Sequence, residues 1–259
     1  MKSCNVVTVI QARRGSSRLP DKVLRDICGK PLLIRMVERV KAATLAGTVV
    51  VATTTHKQDD RIEEVCNSED ILCFRGNELN LLDRHFQAGK AFDADAVVKI
   101  PSDCPLIDPK IIDQVIGKYL TDPEAYDYVS NLHPPTWPDG NDVEIMSMEA
   151  LAAALNEAKL EHHLEHTTPF LWMNPEKFRI ANVRWETGLD YSESHRWTID
   201  YEEDYLLIAS VYDELYPQKP LFGLEDILNL LTAHPEINAV NRAYLGEGWF
   251  KSYLQENNN

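Results

Sequence analysis

Four cationic side chains, Arg13, Arg14, Arg18 and Lys22, are strung through "VIQARRGSSRLPDKVL" (Val9 to Leu24), a turn-rich loop that leaves an apolar run. The loop also holds one glycine, Gly15, and hydroxyls at Ser16 and Ser17. Arg18 and Lys22, four apart, combine a planar fork of donors with a point charge, a set that suits several phosphate oxygens. The plainer alternative is a solvated turn with ordinary surface cations. Neither the G-x-x-x-x-G-K-S/T pattern nor G-x-G-x-x-G occurs between Ala12 and Lys22, which excludes a P-loop and the usual dinucleotide fingerprint.

Two carboxylates could complement those cations. In "KIPSDCPLIDP" (Lys99 to Pro109), Asp103 lies just past an apolar strand, with prolines at 101, 105 and 109 stiffening its path. A carboxylate there can hold a hard divalent cation and leave positions for substrate phosphates and water; the alternative is an Asx turn or a helix cap. In "RWTIDYEEDY" (Arg196 to Tyr205), Asp200 follows the strand-like "WTI" and precedes three acids that would open a helix favourably. Asp200 is a candidate second ligand, or simply the N-cap of that helix.

Positioning these groups requires strand ends. "NVVTVI" (Asn5 to Ile10), "TVVVAT" (Thr48 to Thr53) and "DAVVKI" (Asp95 to Ile100) are β-branched apolar runs of the kind that fill buried parallel strands. They alternate with helical patterns from Pro31, Lys57, Leu79 and Pro109, two of which open with proline in the first turn. The alternation implies an α/β fold with a mainly parallel, doubly wound sheet. In such sheets ligands bind beyond the carboxyl ends of the strands, where strand order reverses, so the loops at 12–22 and 101–109 are expected to share a cleft. After Tyr128 the pattern loosens through the proline-rich "NLHPPTWPDGNDVEIM" (Asn131 to Met146) before a further strand and a helix from Ser147 to Lys159. Residues 128–170 read as a lobe for acceptor binding or dimerisation within one domain of 259 residues.

Composition narrows the function classes. The chain has 26 basic against 41 acidic residues, a net charge of −15, which argues against a nucleic-acid-coating surface, so any anion site must be local. Five cysteines without a C-x-x-C pair give poor support to a disulfide framework or a cysteine zinc site. The first apolar run is too short for a signal peptide or a membrane span, and the expectation is a cytoplasmic protein without a membrane partner.

The segments "IQARRGSSRLPDKVL", "GKPLLIRMVERV", "VVVATT", "LDRHFQAGKAFDADAVVKIPSDCPLIDP", "DGNDVE", "EHTTPF" and "RWTIDYEED" together resemble the cytidylyltransferase family, which includes enzymes activating 3-deoxy-manno-octulosonate and acylneuraminates. The likeness is strongest to the branch named after the spore coat polysaccharide biosynthesis protein F, and it runs in order from about Val6 to at least Tyr205. It implies a nucleotide-diphospho-sugar transferase fold and transfer of CMP from CTP to a small acid sugar, for surface polysaccharide or glycoconjugate synthesis. Arg13, Arg18, Lys22 and Asp103 would then carry the catalysis, with Arg13, Arg18 and Lys22 on the triphosphate. Gln11, Ala12, Gly15, Ser16, Ser17 and Ser102 would complete the nucleotide contacts, with backbone groups near Gln11 and Ala12 on the cytosine edge. Asp103 and Asp200 fall where the family's magnesium aspartates lie, manganese being an alternative, and relatives are commonly homodimers. Ser102 and Pro101 depart from the family's usual glycine and polar residue.

By the same resemblance Glu165 and His166 lie near the acceptor, and Asp139, Asp142 and Glu144 of "DGNDVE" are expected in that pocket. An Asp-Gly turn is the alternative for the latter group. His162 and His166, four apart in "EHHLEH", could face one way as zinc ligands, but the H-E-x-x-H order is missing. "DAD" (Asp93 to Asp95) formally matches the D-x-D of glycosyltransferases, yet it precedes a strand instead of ending one and reads as a helix-terminating turn. A keto-acid acceptor would want a cation, for which Arg179, Arg184 and Arg196 are candidates. A phosphorylated or aminated acceptor, a sugar-nucleotide-dependent glycosyltransferase and a non-catalytic nucleotide-binding homologue are the competing readings.

Overall fold

Val6–Gln11 (β1), the strand that feeds the cationic loop, has its first five residues buried on both faces, as its unbroken apolar run requires. A computed structural model describes residues 4–247 of the chain. After β1 come a two-residue hairpin, Asp26–Ile27 (β2) with Lys30–Pro31 (β3), and the helix Leu32–Lys41 (α1). Thr48–Thr54 (β4), Asp60–Ser68 (α2), Leu72–Gly76 (β5), Leu81–Ala91 (α3), Ala96–Pro101 (β6) and Pro109–Leu120 (α4) continue the alternation. Then follow Tyr128–Ser130 (β7), Glu144–Ser147 (β8), Met148–Glu157 (α5), the short helices Glu161–His166 (α6) and Pro169–Trp172 (α7), and Ile180–Asn182 (β9). Glu202–Leu215 (α8), Leu224–Ala233 (α9) and Pro235–Asn238 (α10) complete the described elements.

Seven strands form one sheet in the order β5-β4-β1-β6-β8-β7-β9. The β4, β5 and β6 pairings are parallel, and β8 is inserted antiparallel between β6 and β7. Segment 128–170 therefore supplies two strands to the main sheet, with α5, α6 and the start of α7 outside it. Apolar side chains cover both sheet faces: Val6 and Ile10 pack with α1, α2, α4, α8 and α9, while Val7, Val9, Val50 and Val97 pack with α3 and α5. This is the layered arrangement expected when helices alternate with parallel strands.

Strand order reverses between β1 and β6, whose register pairs Gln11 with Pro101, so the two loops begin side by side as expected. Helix starts are locked by side chains: Asn80 accepts from the Asp83 N–H, Asp108 from Lys110 and Ser147 from Ala150. "DAD" forms the turn between α3 and β6, with Asp93 left-handed at φ 52°. All five cysteines are thiols. Among the described residues no helix is long and apolar enough to cross a membrane.

Candidate active site

The loop after β1 is pinned from below. Asp59, fully buried, accepts from the backbone N–H of Arg14 at 2.8 Å and from the Thr54 hydroxyl. Arg14 itself is committed to structure: Nε and Nη2 grip the two oxygens of Asp21 at 2.6 and 2.9 Å, and Nη1 donates to the Gln58 carbonyl. Arg13 is exposed and makes no ion pair among the described residues. The two neighbours thus differ in role, one holding the loop's shape and the other presenting its charge.

Lys22 and Arg18 converge on Asp200. Lys22 Nζ donates to Asp200 Oδ1 at 2.9 Å and to the Ile199 carbonyl at 2.7 Å, and lies 3.9 Å from Asp103 Oδ2. Arg18 Nη2 meets Asp200 Oδ2 at 2.8 Å, and its guanidinium lies 5.4 Å from the Tyr201 ring centroid. Burial would push the Asp200 carboxyl up, but Lys22 and Arg18 hold it below the ordinary carboxylate range. The chain brings Asp103 and Asp200 together because the carbonyl of Asp103 accepts from the Ile199 N–H at 2.9 Å and from the Thr198 hydroxyl at 3.0 Å.

The "WTI" segment is extended but forms no strand; its neighbour Arg196 makes a single bridge to Asp139. Nor is Asp200 the cap of α8. Buried Asp204 reaches back to the N–H groups of Asp200 and Tyr201, and its carboxylate also takes the Arg196 fork at 3.0 and 3.1 Å. Asp59 and Asp204 are supporting residues that the sequence reading missed. Their signal was faint, since each sits in an acidic run that reads as an ordinary helix start.

Gln11, Ala12 and Ser102 form the floor between the loops, with the Ser102 N–H donating to the Gln11 carbonyl at 3.2 Å and the Ala12 N–H to Ala52. Ser16 Oγ accepts from the Leu19 N–H at 3.3 Å and so helps to close the turn, while Gly15 and Ser17 are exposed.

The residues expected around the acceptor divide into two groups. Asp139 and Asp142 line a cavity of about 230 Å³, together with Trp137, Asn141, Glu193 and Glu247. Its charged lining residues are all acidic. Burial and its neighbour Asp142 push Asp139 well above the ordinary carboxylate range, and burial with Asp103 nearby pushes Asp142 up to about 7. Glu144 is buried, paired with Lys99 and accepting from the Tyr128 hydroxyl. Despite its burial, Lys99 keeps its carboxyl below the ordinary range. Glu144 does not line this cavity. Burial and then Lys99 lower the His166 pKa to about 4, while Glu165 is exposed.

None of the three candidate acceptor arginines lines the cavity. Arg196 is buried against Asp204 and Asp139, Arg179 grips Asp127, and Arg184 is exposed. Among the described residues no group of three or more histidine, cysteine or acidic side chains could hold a metal by itself, which leaves the "EHHLEH" zinc reading without a site. A larger open groove, about 520 Å³, runs between β5 and α3, and none of the expected site residues lines it.

Against known proteins, a family model described as cytidylyltransferase matches residues 7–234. The chain is 34% identical to an uncharacterised protein of Methanocaldococcus jannaschii over 91% of this chain and 94% of that one. It is 28% identical to the spore coat polysaccharide biosynthesis protein SpsF of Bacillus subtilis, over 90% and 96% respectively. A 3-deoxy-manno-octulosonate cytidylyltransferase of Trichlorobacter lovleyi is 36% identical over 46% of each chain. The structure of a cytidylyltransferase from Leptospira borgpetersenii superposes with a TM-score of 0.86 at 31% identity, covering 91% of this chain and 97% of the other.

Proposed function

The chain belongs to the cytidylyltransferase family, and from that premise we propose that it transfers CMP from CTP to a hydroxyl of a small acid sugar, releasing pyrophosphate in the cytoplasm. The observation that carries the reading is one ammonium, Lys22, shared between Asp103 and Asp200 with Arg18 alongside. Cations and carboxylates are interleaved there at the ends of adjacent strands, where a triphosphate and its counter-ion would both need partners.

In the proposed reaction the acceptor oxygen forms a bond to the α-phosphorus as the bond to the β-phosphate oxygen breaks. Arg13 is exposed and makes no ion pair among the described residues, so it meets the incoming triphosphate directly. Arg18 and Lys22 follow by exchanging Asp200 for phosphate oxygens, and they stabilise the charge that develops there. Asp103 and Asp200 would hold a magnesium ion, or manganese in its place. Their oxygens already flank one positive charge, and two carboxylates plus substrate phosphates and water suit a hard cation. The metal would neutralise charge on the phosphate oxygens. A homodimer is part of the same proposal, with light scattering as its check.

A second acceptor class is favoured by one observation. The cavity beside Asp103 has acidic residues and no cation among its lining side chains, which suits an acceptor bearing an amine better than one bearing a bare carboxylate. Incubation with CTP, magnesium and a panel of acid, amino and phosphorylated sugars, read as pyrophosphate release, tests both readings. Turnover with an acid sugar supports the first and turnover confined to amino sugars the second. Equal turnover with ATP and GTP would sink the pyrimidine assignment, and hydrolysis of sugar nucleotides alone would move the protein to the glycosyltransferases.

A further inference from the structure

The family match ends at residue 234, and past it residues 241–247 fold back onto the segment that carries Asp200. Asn241, 1% exposed, donates from Nδ2 to the Arg196 carbonyl and to Asp204 Oδ1, both at 2.8 Å. Further on, the Glu247 carbonyl accepts from Arg196 Nη1 at 2.8 Å. The segment is thus a strap tied at both ends to the Arg196–Asp204 pair, with the turn Arg242–Tyr244 between the ties. Its far end, Gly246 and Glu247, lines the acidic cavity, so the strap lies at the candidate active site.

Between the ties, Tyr244 lays its ring on Tyr201, with centroids 3.9 Å apart and planes 9° from parallel. Its hydroxyl bonds Glu203 in the first turn of α8. Tyr201 follows Asp200 directly, and Asp204 holds its backbone N–H at 3.0 Å. One face of the Tyr201 ring is taken by Tyr244, so the Arg18 guanidinium, 5.4 Å from the centroid, lies over the other. A planar guanidinium stacks well on an aromatic face. The Arg18 side chain is 53% exposed, and two partners hold its charged end, Asp200 and this ring. When a triphosphate draws Arg18 away from Asp200, the ring is the partner that remains.

Resting on the cytidylyltransferase reading, we infer that Tyr244 is a positioning residue for triphosphate capture: it backs the Tyr201 ring, which keeps the Arg18 fork aimed while that fork exchanges Asp200 for phosphate oxygens. A long side chain released by its carboxylate spreads over many rotamers, and ordering it again weakens the contact it then makes. A ring braced on its far face by a second ring is kept from swinging aside, so the guanidinium is offered in a fixed plane. Asn241 serves the same end by tying the strap to Asp204, which also fixes the Asp200 and Tyr201 backbone.

The test is a double-variant cycle, read by calorimetric titration of CTP and by kcat/KM for pyrophosphate release. Tyr244→Ala should weaken CTP binding and lower kcat/KM by about tenfold, the scale of one aromatic contact. Tyr244→Phe keeps the ring, loses the Glu203 bond and should stay within about twofold of wild type. Because the effect passes through Arg18, adding Tyr244→Ala to Arg18→Ala should cost no more than about twofold beyond Arg18→Ala alone. A merely structural strap would give losses that multiply, about a further tenfold, and that result overturns the inference. Tyr244→Phe as impaired as Tyr244→Ala overturns it equally. Thermal melting checks that Tyr244→Ala folds, and Tyr244→Leu, which fills space without an aromatic face, replaces it if it does not. Non-multiplying losses in CTP binding without pyrophosphate release would remove the transferase reading and leave the Tyr244 assignment standing. Pyrophosphate release with multiplying losses would do the reverse, and a wild type that binds no CTP would remove both.

Discussion

The two walls that meet at Asp103 carry opposite charge. On the loop after β1, Arg18 and Lys22 are held in place by Asp200, and Arg13 stands free among the described residues. On the 131–142 side, Asp139 and Asp142 crowd each other around a cavity whose other charged lining residues are Glu193 and Glu247. The first wall has Arg18 and Lys22 paired in advance, and these need only an exchange of partners to take a polyanion. The second holds its carboxylates at a cost, because their ionised forms repel one another in a confined space. A net charge of −15 thus conceals a local division of labour, with anion capture on one side and a neutral or cationic guest favoured on the other.

The hinge of that comparison is the carboxylate pair, where the largest effect is expected. Asp103→Asn and Asp200→Asn should each lower turnover by about a hundredfold or more, since each removes a negative oxygen set from the point where cation and phosphate meet. Pyrophosphate release at saturating CTP and metal measures it. A near-wild-type rate in folded Asp200→Asn would reduce that residue to an anchor for Lys22 and Arg18.

Next comes the shape of the charge on the anionic-ligand wall. Arg18→Lys keeps the charge and loses the planar fork, and about 2 to 4 kcal/mol of transition-state stabilisation should go with it, judged from donor removals at charge-developing sites. Steady-state kinetics with varied CTP reads this as a fall in kcat/KM. An unchanged value would mean that the loop acts only as a diffuse positive field.

The acidic wall predicts a pH effect of smaller size and opposite sense to an ordinary ion pair. Asp142 titrates near 7 in the fold against about 4 in an unfolded chain, so the folded state holds the extra proton between those values. Stability from this group is complete below about pH 4 and declines as the pH rises towards 7. Asp142→Asn, a neutral near-isostere, should escape the decline. The carboxylate is only partly buried, so a gain of about 1 kcal/mol, or 2 to 4 °C in Tm, is expected at pH 8 with none at pH 4. Parallel melting curves at the two pH values would show that Asp142 is not strained by its neighbours.

The same contrast explains what the sequence made legible. Strands β1, β4 and β6 announced themselves by apolar runs, and the loops at their ends followed from topology, so Arg18, Lys22 and Asp103 could be placed in one cleft before any coordinates. The meeting with Asp200 depended on hydrogen bonds from the 198–199 backbone and hydroxyl to the Asp103 carbonyl, which no spacing encodes. On the acidic wall a strand was expected before the helix from Ser147, where β8 lies, but β7 was not, because a strand of three residues carries too little periodicity to register. Glu144 was legible as part of a motif but not in its role. Only the cross-strand register that sets it opposite Lys99 shows that the two form a buried ion pair.

The smallest expected effect on catalysis is the most discriminating test of the cationic wall, because it concerns an arginine next to one assigned to phosphate. Arg14 spends both faces of its guanidinium on structure, two bonds to Asp21 and one to the Gln58 carbonyl, and Asp21 is itself left-handed at φ 57°. A lysine could keep one contact to Asp21 but not the fork, so Arg14→Lys should lower stability by about 1 kcal/mol, the scale of one net hydrogen bond. The side chain is not directed at the Asp103–Asp200 pair, and the backbone N–H that Asp59 holds is unchanged by the substitution. Turnover should therefore stay within about threefold of wild type, well short of the loss in Arg18→Lys. Melting temperature and kcat/KM measured on the same preparations separate the two effects. If Arg14→Lys melts like wild type but loses turnover as Arg18→Lys does, the division between shape-holding and charge-presenting cations in this loop is wrong, and all four act on the ligand.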